Sequence, residues 1–262
     1  MSKKRKNVDW STDLYYGLEM EGGVIDNNYY NFDADLQEAG WRYTTDCHYM
    51  PNCWRSDAEI ITDGKVAKEN LRQHINNFIS LLDDNWQTHP DDTGMHINVS
   101  LHGGFGERIP KNLFLLFYGL QDEFYSLVAE QRQNQQFSGK VSHHDEYYDI
   151  VQRILDCNIT FFEQSDSLEE YLAEHTDLGE RMYAPEVGEK YVGLAFHKLQ
   201  RLGVIEFRFF DSYLDNMSNY CLLVKAMIKF ANNHTAYQIK KFIDKVQDKG
   251  LDYLKKRLRI DW

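Results

Sequence analysis

The chain has 262 residues, 42% of them hydrophobic and 27% charged, with a formal net charge of −12. A chain of this length and composition can bury a core without disulfide or metal staples. Its negative charge excludes broad, nonspecific binding to nucleic acid or to anionic membrane, while leaving room for a local basic pocket. No run reaches the roughly 20 apolar residues that a membrane helix needs. The basic start "MSKKRK" is followed by no apolar stretch of a secretory signal, so residues 1–13 read as a flexible basic tail and the protein as cytoplasmic. Cys47, Cys53, Cys157 and Cys221 form no CxxC pair and read as reduced thiols; a zinc group of Cys47, His48 and Cys53 matches no usual spacing.

In chain order, residues 14–21 predict a strand, with 41–47 ("WRYTTDC") and 57–62 ("DAEIIT") as two more. Between Val66 and Trp86, the positions Leu71, Ile75, Phe78, Ile79 and Leu82 recur at helical spacing. "GMHINVSL", Gly94 to Leu101, alternates: Met95, Ile97, Val99 and Leu101 face one way, and His96, Asn98 and Ser100 the other. A helix follows Pro110, with Leu113, Leu116, Phe117, Leu120, Phe124 and Leu127 on its apolar face. Residues 145–157 predict another helix. "YVGLAFHKL" (191–199) and "VIEFRFF" (204–210) predict two strands joined by a turn around Arg201–Gly203, and residues 216–257 predict helix. Strands and helices mix without strict alternation, which predicts an α+β fold: a mainly antiparallel sheet covered by helices on one face. No break in composition divides the chain, so residues 14–262 read as a single domain.

The polar faces of these strands carry the chemistry. Within "YYGLEMEGG", Glu19 and Glu21 point to one side of a strand, about 7 Å apart, while Leu18 and Met20 point into the core. In "VIEFRFF", Ile205, Phe207 and Phe209 face one way and Glu206 and Arg208 the other. "SDAEII" offers Asp57 and Glu59, and the alternating strand offers His96. Each face taken alone is explained by contact with water. Taken together, they place acidic or imidazole ligands on four β-prone segments. If these converge, two carboxylates about 4 Å apart repel by roughly 4 kcal/mol at an effective dielectric of about 20. A cation is then required. Oxygen-rich ligands select Mg²⁺ or Mn²⁺, which commonly carry substrate phosphates as well. Arg208, beside Glu206, has the planar fork that grips a phosphate.

"YGLEMEGG", "DCHYMPNCWRSDAEIIT", "TGMHINVSL", "KYVGLAF" and "GVIEFRFFDSYLDN" occur in that order. In this the chain resembles the amidoligase family, ATP-dependent carboxylate–amine ligases of the glutamine synthetase and glutamate–cysteine ligase superfamily. The family pattern runs from a G-x-E-x-E strand, through an Asp and a Glu on a hairpin and a G-x-H-x-H/N strand, to an E-F-R strand. The motifs span residues 16 to about 216. Asn98 stands at the second His of the G-x-H-x-H variant, Lys190 replaces the usual Arg, and "RQNQQF", with Arg132, Asn134 and Gln136, only loosely echoes an Arg-x-Asn-x-Tyr motif.

The resemblance implies a strongly curved sheet with helices on its convex face and the site in its concave face. It implies Glu19, Glu21, Glu59, His96 and Glu206 around two or three Mg²⁺ ions, with His96 as an alternative phosphate ligand. Arg208 would contact the transferred phosphoryl group of ATP, Asp46 would bind or deprotonate the amine, and Lys190 and Arg132 would hold phosphate or carboxylate. The substrates implied are a small-molecule or peptide carboxylate and an amine. Two other readings remain open on the residues alone: a metal-dependent hydrolase or phosphatase using the same carboxylates, and a non-catalytic nucleotide-binding module. Asp46 also reads as a turn residue, Lys190 as a surface lysine, and Arg208 as one half of a structural ion pair. "HGGFG" (102–106) reads as a loop, and His143, His144 and Asp145 as the start of a helix.

Overall fold

Leu14, Tyr16, Leu18 and Met20 are buried while Tyr15, Gly17, Glu19 and Glu21 between them are only partly so. This period of two makes β1 (Leu14–Val24) a strand with one face in the core. The computed structural model describes residues 14–24, 29–44, 56–82, 86–87, 93–128, 145–175 and 193–262. After β1 come α1 (Tyr29–Glu38), β2 (Trp41–Thr44), β3 (Ser56–Thr62), β4 (Val66–Ala67), α2 (Lys68–Leu82), β5 (Trp86–Gln87) and β6 (Gly94–Leu101). Then follow α3 (Arg108–Gly119), α4 (Gln121–Tyr125), α5 (Asp145–Arg153), a π-helical turn at Ile154–Asn158, α6 (Ile159–Gln164) and α7 (Leu168–His175). The chain continues through β7 (Leu194–Ala195), α8 (Leu199–Leu202), β8 (Val204–Asp211), α9 (Met217–Asn233), α10 (Ala236–Lys249) and α11 (Leu251–Leu258).

The strands form one open sheet in the order β2-β3-β1-β6-β8-β7, with β4 and β5 paired to β1. Every pairing among the described residues is antiparallel. This is the mixed, mainly antiparallel architecture that the sequence predicts. Helices cover the apolar face. Phe117 of α3 and Phe124 and Tyr125 of α4 meet Phe209 of β8 at ring-centroid distances of 5.1, 6.4 and 5.7 Å. At the other end of the sheet, Trp41 of β2 stacks on Phe78 of α2 at 3.9 Å. Aromatic pairs in such offset or tilted arrangements add to the area they bury.

Lys111 of α3 is buried, and its ammonium donates to the carbonyls of Phe162 (2.9 Å), Glu163 (3.2 Å) and Ser165. These carbonyls end α6, where the helix leaves its acceptors unpaired. Lys111 therefore ties one helix to the end of another.

Several elements differ from the sequence prediction; the single helix expected after Pro110 is two, α3 and α4, divided at Leu120, and the stretch 216–257 is three helices. The strand at 191–199 is reduced, among the described residues, to Leu194–Ala195, because the chain turns at Phe196–Leu199 and then forms the short helix α8. Gly203, at φ 63°, ends that helix in the left-handed conformation that glycine adopts without strain, and delivers the chain into β8. The helix after Val66 begins at Lys68, since Val66 and Ala67 pair with β1. Helix α1 carries no strong apolar stripe and is absent from the sequence prediction.

β8 also departs from simple alternation. Met95 pairs with Phe210 and Ile97 with Phe207, so β8 holds one residue more than β6 across this interval. The result is a β-bulge in which Arg208 and Phe209 oppose His96. It explains why the adjacent Phe209 and Phe210 are both fully buried.

A Cβ at Gly193 would lie 2.5 Å from Tyr125 Oη and 2.8 Å from Phe117 Cζ. The carbonyl of Gly193 accepts from Arg208 N (2.8 Å), and Tyr118 Oη donates to the carbonyl of Leu194 (2.6 Å). Gly193→Ala should therefore push β7 off α3 and α4 and cost about 1–3 kcal/mol, read as a lower midpoint in urea unfolding with an unchanged slope.

Candidate metal and phosphate site

The register of the ladder assembles the site. Glu19 on β1 pairs with His96 on β6, Asn98 on β6 with Glu206 on β8, and Glu21 on β1 with Glu59 on β3. Directly paired residues share a face, so side chains from distant parts of the sequence meet on the side away from the helices. Ligand atoms of Glu19, His96 and Glu206 all lie within 4.8 Å of one another.

A chain of contacts joins them. His96 Nδ1 is 3.0 Å from Glu19 Oε2, and its Nε2 is 3.5 Å from Glu21 Oε1. Asn98 Nδ2 donates to Glu19 Oε1 at 2.6 Å, and the amide N–H of Gly94 donates to Glu21 Oε2 at 2.9 Å. Thr44 Oγ1 donates to Glu59 Oε2 at 3.2 Å. Glu206 is fully buried, and its Oε1 receives Lys198 Nζ at 2.8 Å and Arg208 Nη1 at 3.3 Å. His197 Nε2 lies 3.5 Å from Glu206 Oε2.

The electrostatics follow from these neighbours. Burial alone would raise the Glu19 carboxyl, but the hydrogen bond and charge of His96, with Lys198 and Arg208, hold it down to about 2. Burial also works to raise Glu206, and Arg208 and Lys198 overcome it, so its carboxyl lies below the usual range. At Glu59, burial and the charge of Glu19 push the carboxyl up. Burial works against the Lys198 ammonium, and Glu206 and Glu19 outweigh it.

The alternation of the sequence puts Glu19, Glu21, Glu59, His96, Glu206 and Arg208 on polar strand faces, and all six lie on this one. Glu21 and Glu59 flank the closest trio of Glu19, His96 and Glu206. Arg208 is in an ion pair with Glu206. Asp46, Lys190 and Arg132 lie outside the described residues, as do His143, His144 and the Cys47–His48–Cys53 group. Asp57 sits at the register position opposite Gly23. "HGGFG" is a turn and loop after β6, with Gly103 and Gly104 at positive φ.

No sequence pattern points to Lys198. Its ammonium is 2.8 Å from Glu206, 3.2 Å from Asn98 Oδ1 and 3.6 Å from Glu19 Oε1. Only the fold of the 196–199 turn brings it there; no periodicity marks it.

The donor set fits a hard divalent cation. Carboxylate oxygens and one imidazole face a common point, and Glu206 Oε2 is buried yet accepts no hydrogen bond among the described residues. Glu19, Glu21, Glu59 and Glu206 carry four formal negative charges; Lys198 and Arg208 return two positive ones. The formal deficit of two on these six groups equals the charge of one divalent ion. No model of a known protein family matches the chain, and no match was found among curated proteins.

The stability contributed by the ionised Glu19 is fully present above pH 4.5, its ordinary value, and is lost as pH falls through about 2. The difference in unfolding free energy between wild type and Glu19→Gln should therefore shrink steadily from pH 4.5 toward pH 2 in urea titrations. A difference that does not change over that range would contradict the ion pairing.

Proposed function

We propose that the chain is an ATP- and Mg²⁺-dependent carboxylate–amine ligase, an amidoligase with a glutamine synthetase-like catalytic domain over residues 14–262. It forms a peptide or isopeptide bond through an acyl phosphate. The observation that carries this reading is the convergence of Glu19, His96 and Glu206 within 4.8 Å, on a sheet face whose remaining charges leave a negative excess beside Arg208.

The chemistry asks for such a site. A carboxylate in water is a poor electrophile. Attack of its oxygen on the γ-phosphorus of ATP breaks the bond to the bridging oxygen and releases ADP. A neutral amine then attacks the acyl carbon, expels inorganic phosphate and loses its proton. Phosphoryl transfer is catalysed mainly by positioning and charge stabilisation.

In this reading Glu19, Glu21, Glu59, His96 and Glu206 would hold Mg²⁺, or Mn²⁺ in its place, which would supply neutralisation of the charge that develops on phosphate oxygens. Arg208 supplies a fixed cationic donor to the transferred group, and its contact with Glu206 fixes its direction. His96, set between Glu19 and Glu21, keeps both carboxylates in place. Asp46 as acceptor of the amine proton, and Lys190 and Arg132 as phosphate or carboxylate ligands, complete the assignment by resemblance.

The test is a screen of amino acids and peptides for ADP release that requires a carboxylate and an amine together. Arg208→Lys, which keeps the charge but not the fork, should lower that rate by roughly 10²-fold, and Glu19→Gln should abolish Mg²⁺-dependent turnover. Hydrolysis of phosphoesters with Mg²⁺, and no ADP release with any pair, would replace the ligase by a metal-dependent phosphatase.

A further inference from the structure

We infer that Lys198 is a tethered counter-ion that shares the Glu19–Glu206 site with the divalent cation, holding the metal-free site together and weakening metal binding. This rests on the metal-binding reading of that site.

The ammonium of Lys198 stands where an ion bridging the strands would find its ligands. Its contacts come from three strands: Glu206 Oε1 of β8 at 2.8 Å, Asn98 Oδ1 of β6 at 3.2 Å and Glu19 Oε1 of β1 at 3.6 Å. Two of these are hydrogen bonds, to Glu206 and Asn98, and the third is a longer ion-pair contact with Glu19. The second observation is Glu206 itself, fully buried, with Oε2 accepting no hydrogen bond among the described residues. One of its oxygens meets two cations; the other has His197 Nε2 at 3.5 Å and no hydrogen bond among the described residues, so the buried carboxylate is half-compensated.

The two cationic side chains at Glu206 differ in freedom. The Arg208 side chain is 12% exposed and sits at the bulge in β8. That of Lys198 is 27% exposed, on a flexible stem rising from the turn that starts α8. A divalent ion entering between Glu19 and Glu206 meets a like charge already there. Either the Lys198 stem swings toward solvent or the ion binds against its repulsion, and affinity falls in both cases. The same ammonium stops Glu19 and Glu206 from repelling each other when no ion is present.

The experiment is Mn²⁺ titration of the full chain, followed by electron paramagnetic resonance and by thermal melting. Lys198→Met should bind Mn²⁺ on the order of tenfold more tightly than wild type, the effect of removing one nearby like charge in a partly solvated site. Its melting temperature should be lower than wild type without metal and recover as Mn²⁺ is added. Lys198→Gln, which removes the charge but keeps a hydrogen-bonding side chain, gives the same readout if the methionine variant does not fold. Lys198→Arg keeps the charge and should stay close to wild-type affinity. Wild-type Mn²⁺ affinity in both neutral variants would overturn the counter-ion role alone. No Mn²⁺ binding by any of the proteins would overturn it together with the metal site. Tighter Mn²⁺ binding by the neutral variants, with no ADP release from wild type, would uphold it and remove the ligase.

Discussion

An antiparallel ladder leaves no choice about which side chains share a face. Once Leu18 and Met20 of β1 are committed to the core, Glu19 and Glu21 must point away from it; pairing of β1 with β6 and β3, and of β6 with β8, brings His96, Glu59 and Glu206 to the same side. The fold thus concentrates like charge as a direct result of satisfying its hydrophobic pattern. The other polar contacts described on this face answer that concentration. Lys198 and Arg208 meet the deeply buried Glu206, the imidazole of His96 separates Glu19 from Glu21, and the amides of Asn98 and Gly94 donate to carboxylate oxygens.

The opposite face supplies the stiffness this arrangement needs. Glu206 and Arg208 alternate along β8 with Phe207 and Phe209, and Phe209 is locked among Phe117, Phe124 and Tyr125. Close packing of that kind fixes a strand to within a fraction of an ångström, which is the tolerance a metal or phosphate site demands of its ligands. β7 is held by contacts of the same sort: Gly193 lies against Tyr125, and Tyr118 holds Leu194. The turn that carries His197 and Lys198 starts from β7, so helices on one side of the sheet determine where cations sit on the other.

Much of this is legible in the sequence because it depends on a period of two. β1, β6 and β8 alternate strongly enough that the residue pattern alone assigns Glu19, His96, Glu206 and Arg208 to the polar face. The residues that escape it are those positioned by turns. Lys198 lies within a stretch, 191–199, that reads as one continuous strand, yet among the described residues Leu194 and Ala195 alone pair with β8, and the hydrogen bond from Leu199 N to the carbonyl of Phe196 swings the intervening residues over the face. Helix α1 escapes for a different reason: its apolar residues are interleaved with Asn31, Asp33, Asp35 and Gln37, and Leu36 is the buried one among its described side chains. Phe210 is ambiguous because the bulge shifts the phase of its strand, and a bulge comes from pairing between distant segments rather than from local composition.

That bulge makes the chain length of β8 critical. Upstream of it, Glu206 stands opposite Asn98; downstream, Phe210 packs 4.5 Å from the ring of Tyr220, and Asp211 receives the Tyr220 hydroxyl. Both halves are in phase only because one surplus residue separates them. A one-residue deletion there would turn either the carboxylate or the aromatic anchor to the wrong side.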